Sequence, residues 1–226
     1  MAKTFRQQPD GSPQEWHRRS RFLPHRDREG LQQVLTFRLY DSVPAAKLKV
    51  LEAELQNTCK TDRVFMHMKR ARVEQLLNNG YGCCAFSEPH VAARMEEALR
   101  HHDSLRYELI AWCIMPNHVH VLIKQIESLS KIVQSWKSYV GRWAISQNEC
   151  LNLGIQNNRF WMRDYWDRYI RDDEHFQSAV EYIHNNPVMA KLCERPEDWP
   201  WSSAERSPDL DIREDSAPYM YADGVF

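Results

Sequence analysis

With 226 residues, 42% of them hydrophobic and 27% charged, the chain suits one globular domain with ragged ends. That composition excludes collagen-like, coiled-coil and wholly disordered proteins. No apolar run approaches the roughly 20 residues of a membrane span and no signal-peptide pattern opens the sequence, so the expected location is the cytoplasm. The six cysteines form no C-x-x-C pair and read as reduced thiols. Net charge is −1, but residues 1–30 carry +3, residues 115–171 carry +4 and residues 194–226 carry −6. A basic head and middle balanced by an acidic tail suit a phosphate-bearing partner, and suit ordinary solvated surface as well.

Residues 1–20 read as an irregular basic segment, 21–204 as the folded domain and 205–226 as a disordered acidic tail. Leu31–Tyr40 predicts a strand. Asp41-Ser-Val-Pro is expected to cap a helix over 45–56, with Leu48, Leu51 and Leu55 on one face. Residues 60–88 are ambiguous, with a helix expected over 67–78, and a further helix follows over 91–101. Arg106–Met115 and His118–Lys124, joined by Pro116-Asn117, predict an antiparallel hairpin. Leu129, Ile132, Val133, Trp136, Val140, Trp143 and Ala144 recur at spacings of three and four, which predicts a helix over 130–147. Phe160–Ile170 reads as extended. A last helix capped by Asp172 or Asp173 is expected to end at Asn185-Asn186-Pro187, with Phe176, Ala179, Val180 and Ile183 inward. The order is α+β, helices on a largely antiparallel sheet.

Three features carry chemistry. In His118-Val119-His120 on a strand, both imidazoles face one way while Val119, Val121 and Ile123 face the core. Such a pair can grip a divalent metal and leave positions open, although two polar residues on a solvated face fit the pattern too. Tyr139 falls on the shoulder of its helix's apolar stripe, where a phenol can pack and still reach a cleft. Lys137, Arg142 and Lys131 lie near it. Finally, Trp161, Tyr165, Trp166 and Tyr169 interleave with Arg163, Arg168 and Arg171, a pattern suited to stacking bases or to building a core.

Several blocks, in order, resemble a known family. WCIMPNHVHVLI (112–123) is similar to the HUH segment of single-tyrosine transposases, and KSYVGRWA (137–144) resembles their nucleophile helix. FLPHRDREGLQQVLTFRLYDSVP (22–44), FWMRDYWDRYIRDDEHFQSAVEYIHNNPVMAKL (160–192) and EDWPWSSA (197–204) resemble one branch, the REP-associated tyrosine transposases.

The resemblance implies a ferredoxin-like HUH domain that cuts and rejoins single-stranded DNA at hairpin-forming repeats, nucleoid-associated in the cytoplasm. His118 and His120 would hold Mg²⁺ or Mn²⁺ and Tyr139 would be the nucleophile. Arg38, Lys137, Arg142, Arg163, Arg168 and Arg171 would contact DNA. Two departures stand out: Trp143 occupies the position, one turn beyond the tyrosine, where relatives place a polar third ligand, and Lys191 replaces a glycine. A hairpin-binding descendant that no longer cuts and a metal-dependent phosphoesterase are the alternative functions.

Overall fold

The computed structural model describes residues 16–17 and 25–206. The expected irregular head and disordered tail therefore lie largely outside the described residues. Two short strands, β1 (Trp16–His17) and β2 (His25–Arg26), pair antiparallel. The main sheet comprises β3 (Gln32–Arg38), β4 (Tyr107–Met115), β5 (His118–Gln125) and β6 (Trp166–Tyr169). Its order is β4-β5-β3-β6 and every pairing is antiparallel. With helices between β3 and β4 and between β5 and β6, this is the ferredoxin-like α+β arrangement expected from the sequence.

Among the described residues five α-helices complete the fold: α1 (Ala45–Thr58), α2 (Asp62–Leu77), α3 (Pro89–His101), α4 (Leu129–Ser146) and α5 (Asp173–Met189). Their starts follow capping chemistry. Thr61 Oγ1 accepts from Val64 N at α2, the Glu88 carboxylate and Pro89 open α3, and the Asp172 carboxylate accepts from His175 N at α5. At α4 the cap comes from a distance: Asp27 accepts from Leu129 N and from Ser128 Oγ. Asp41 does not cap α1 as expected. Its carboxylate instead accepts from Cys83 N at 2.7 Å. Gly82, at φ +88°, admits that contact, since a Cβ there would lie 2.6 Å from Asp41 Oδ1.

The sheet is covered on both faces. Along β5, Val119, Val121 and Ile123 join Leu35, Phe37, Trp112 and Ile114 under α3 and α4. The α4 stripe buries Leu129, Ile132, Val133, Trp136, Val140 and Ala144 there. On the other face, Val34, Ala111, Cys113, Met115 and Leu122 pack on Ala179, Val180 and Ile183 of α5. A third cluster joins Leu51 and Leu55 of α1, Val73 and Leu77 of α2, and Trp166 of β6.

Two helix boundaries differ from expectation for a readable physical reason. α2 begins five residues early, because its exposed first turns bury nothing before Val73 and leave no apolar period to read. α5 runs past Pro187 to Met189. A proline in the last turn forfeits one hydrogen bond while Ala190 N still reaches Asn186 O. Lys191 then turns the chain at φ +58°, which explains why a glycine would suit that position.

Candidate active site

In the β3–β5 register, Thr36 stands opposite His120 and Arg38 opposite His118. Directly paired residues share a face, so all four side chains lie on the α5 side of the sheet. That face is not solvated: His118 and His120 are each 1% exposed. Their rings meet edge to face, with centroids 4.8 Å apart.

Each imidazole is oriented by a neighbour. His118 Nδ1 is 2.7 Å from Asn117 Oδ1, and Asn117 Nδ2 donates to the Leu77 and Tyr81 carbonyls. His120 Nδ1 is 3.0 Å from Thr36 Oγ1. With Nδ1 engaged in both rings, Nε2 is the atom left to take a ligand. Burial, with Arg38 nearby, holds His118 down to about 3. Burial, then His118 and Arg70, hold His120 well below the usual imidazole value. Both are neutral at pH 7, the form that binds metal.

Tyr182 of α5 packs edge-on against His120, centroids 5.4 Å apart. Its hydroxyl interacts with the side chains of Asn186, one helical turn on, and of Glu74 on α2. Burial and the Glu74 charge push that phenol far up. Asn186 is buried, and its Nδ2 has no hydrogen-bond partner. Glu74 is 7% exposed and pairs with Arg70 Nε at 3.4 Å through Oε1, while its Oε2 has no partner. Buried polar atoms without partners are uncommon, and two of them belong to the side chains that meet this hydroxyl.

Among the described residues no three His, Cys, Asp or Glu come together as a metal cluster. Two neutral imidazoles, with the amide of Asn186 one turn along α5 from the tyrosine that packs on His120, would make a mixed nitrogen–oxygen set of the kind Mg²⁺ or Mn²⁺ accepts. The residues present fit such an ion.

Tyr139 does not join the histidines. It sits on α4, on the opposite face of the sheet, and is 39% exposed. Its hydroxyl donates to Glu97 Oε1 and accepts from Arg94 Nη1, which ties α4 to α3. Arg94 also lies over the Tyr139 and Trp143 rings. Trp143 is thus part of that surface staple, while Asn186 lies one turn beyond Tyr182 on α5.

The basic candidates divide in the same way. Arg38 is buried beside His118, donates to Ser42 Oγ, and is lowered to about 10 by burial. Arg168, opposite Val34, shares this face and acts electrostatically on Glu74. Lys137 lies on the other face, where Nζ donates to the carbonyls of Met162, Arg163 and Asp164. Its charge is spent on a loop. Arg142 reaches back to Ser138 O, and Arg163 is exposed. Arg171 is exposed, and its backbone N donates to His175 Nδ1. Trp161 and Phe160 belong to the aromatic core, with Trp161 Nε1 donating to Lys137 O.

Residues 83–186 match the family model described as Transposase IS200 like. A putative REP-associated tyrosine transposase of Haemophilus influenzae is 30% identical over 112 residues, covering 47% of this chain and 64% of that protein. The REP-associated tyrosine transposase of Escherichia coli K12 is 26% identical over 100 residues, covering 44% and 56%. The chain thus spans less than two thirds of the length of these relatives. A solved REP-associated tyrosine transposase bound to a REP hairpin aligns over 89% of this chain and 96% of its own, with 16% identity and a TM-score of 0.48. The segment that matches this family model holds His118, His120, Tyr182 and Asn186.

Proposed function

We propose that the chain is a REP-associated type of tyrosine transposase that cuts and rejoins single-stranded DNA at hairpin-forming repeats. The carrying observation is the contact between Tyr182 and His120, with Asn186 one turn along α5. Tyr182, rather than Tyr139, is the nucleophile of this reading. His118, His120 and Asn186 would hold Mg²⁺ or Mn²⁺, which when bound supplies polarisation of the scissile phosphate. Arg38 adds a fixed positive charge beside His118, suited to a phosphate oxygen. The Tyr182 hydroxyl attacks phosphorus and the 3′-oxygen leaves, so the chain keeps a 5′-phosphotyrosine. The phosphoester bond is conserved, and a 3′-hydroxyl of another strand can reverse the step without ATP.

Trp143 in the ligand position would favour a binding-only descendant, and that reason lapses where Asn186 fills the position. A labelled hairpin oligonucleotide incubated with the protein and Mn²⁺ tests the reading. A gel-stable covalent adduct is expected. Retention without adduct would leave a binding protein, and neither would leave the phosphoesterase. The expected place of action is on DNA in the cytoplasm. Among the described residues no helix is long and apolar enough to cross a membrane.

A further inference from the structure

We propose that Glu74 is the catalytic base that takes the proton of the Tyr182 hydroxyl during strand cleavage and returns it during joining. The inference rests on Tyr182 being the nucleophile. Glu74 lies on α2, outside the segment that matches the family model. Three observations point to it. First, the Tyr182 hydroxyl interacts with the side chains of Asn186 and Glu74, and of these two only a carboxylate can take up a proton. Second, Arg70 holds that carboxylate from one turn away through Oε1. Third, Oε2 is buried and partnerless. An i,i+4 ion pair that merely solvates a helix keeps its oxygens in water. Burying one oxygen with no partner costs stability, a cost that a role in proton transfer would offset.

The chemistry balances. A phenol, ordinarily near pKa 10, is a poor nucleophile and is poorer still when buried. In cleavage the Tyr182 Oη–P bond forms and the P–O3′ bond breaks. The phenolic proton passes to Glu74, and the departing 3′-oxygen is protonated by solvent. In joining, the 3′-hydroxyl of the incoming strand gives its proton to solvent and attacks phosphorus, the P–O3′ bond forms, the Oη–P bond breaks, and Glu74 gives its proton back to Oη. Burial pushes Glu74 up and Arg70 pulls it down, which suits a group that must both take and release a proton.

The test uses the full chain with Glu74→Gln, which keeps shape and removes basicity. The rate of adduct formation on a hairpin oligonucleotide should fall about 100-fold or more, and the rate of joining by the same factor. Hairpin affinity and Mn²⁺ affinity, measured without turnover, should stay within about twofold of the unaltered protein. Glu74→Asp, which keeps the base but shortens its reach, should fall between the two. It carries the test alone if the Gln variant does not fold. Unchanged or faster adduct formation in Glu74→Gln would overturn the proposal, the carboxylate then being a plug. So would a tenfold loss of Mn²⁺ affinity, which would make Glu74 a metal ligand. An adduct that persists in Tyr182→Phe would remove the nucleophile reading itself, and an adduct lost there but unaffected by Glu74→Gln would remove this proposal alone.

Discussion

Tyr182 and His120 stand ring against ring, centroids 5.4 Å apart and planes at 78°, where α5 crosses β5. An edge-to-face contact of this kind fixes both rings without covalent help. Around it the site becomes a set of orientations: Thr36 sets His120, Asn117 sets His118, and α5 sets Tyr182 with Asn186.

His120→Ala is expected to weaken Mn²⁺ binding tenfold or more and to abolish cleavage. The fold will notice as well. His120 is fully buried and bonded to Thr36, so the change should cost about 1–3 kcal/mol by denaturant titration. Full Mn²⁺ affinity in that variant would exclude the imidazole as a ligand.

Arg38 and Lys137 separate site chemistry from scaffolding. Arg38→Met should weaken hairpin binding and flatten its salt dependence, because one phosphate contact is lost. Lys137→Met should leave the salt dependence alone and lower stability, since three carbonyls lose their donor. Equal effects of the two on DNA affinity would contradict this division.

Acid should destabilise the protein. His118, His175 and His184 are lowered to about 3, 4 and 4, mainly by burial, and His120 is lowered too. The unfolded chain binds protons on these groups near pH 6.5 and the folded chain does not. The stabilising contribution is therefore complete above about pH 6.5 and is lost as pH falls toward the folded values. Thermal melts between pH 7 and pH 5 should show Tm falling by on the order of 10 °C. A flat profile would mean that the imidazoles are not buried as neutral groups.

Lys191→Gly should stabilise by up to about 1 kcal/mol, because φ +58° costs a side-chain-bearing residue and costs glycine little. Chemical denaturation reads this directly. The basic side chain has no part in the site, so cleavage should be unchanged.

Much of the fold was legible in the sequence because its signals are local. The alternation in His118–Lys124, the α4 stripe and the Asp172 cap each predict an element that the structure contains. The histidine pair was legible for the same reason. Its environment was not, because alternation says which side chains share a face but not which helix covers that face. Tyr139 follows the hairpin closely in sequence, yet α4 folds onto the Val119 side, while Tyr182 arrives more than sixty residues after His118 on the side that the imidazoles face. One signal could have found it. Tyr182 and Asn186 are spaced i,i+4 beside the inward Ala179 and Ile183, a polar pair at the border of a buried face. Glu74 had no such signal: a helix is expected over 67–78, but its local spacing does not say what covers that position.

The central claim, that the chemistry belongs to the α5 face of the sheet, is tested most directly by mapping the covalent adduct. The protein, Tyr182→Phe and Tyr139→Phe would each be incubated with a hairpin oligonucleotide and Mn²⁺, then digested, and the DNA-linked peptide identified. The account predicts an adduct in the unaltered protein and in Tyr139→Phe, carried by a peptide containing Tyr182, and none in Tyr182→Phe. Loss of the adduct in Tyr139→Phe with retention in Tyr182→Phe would contradict it.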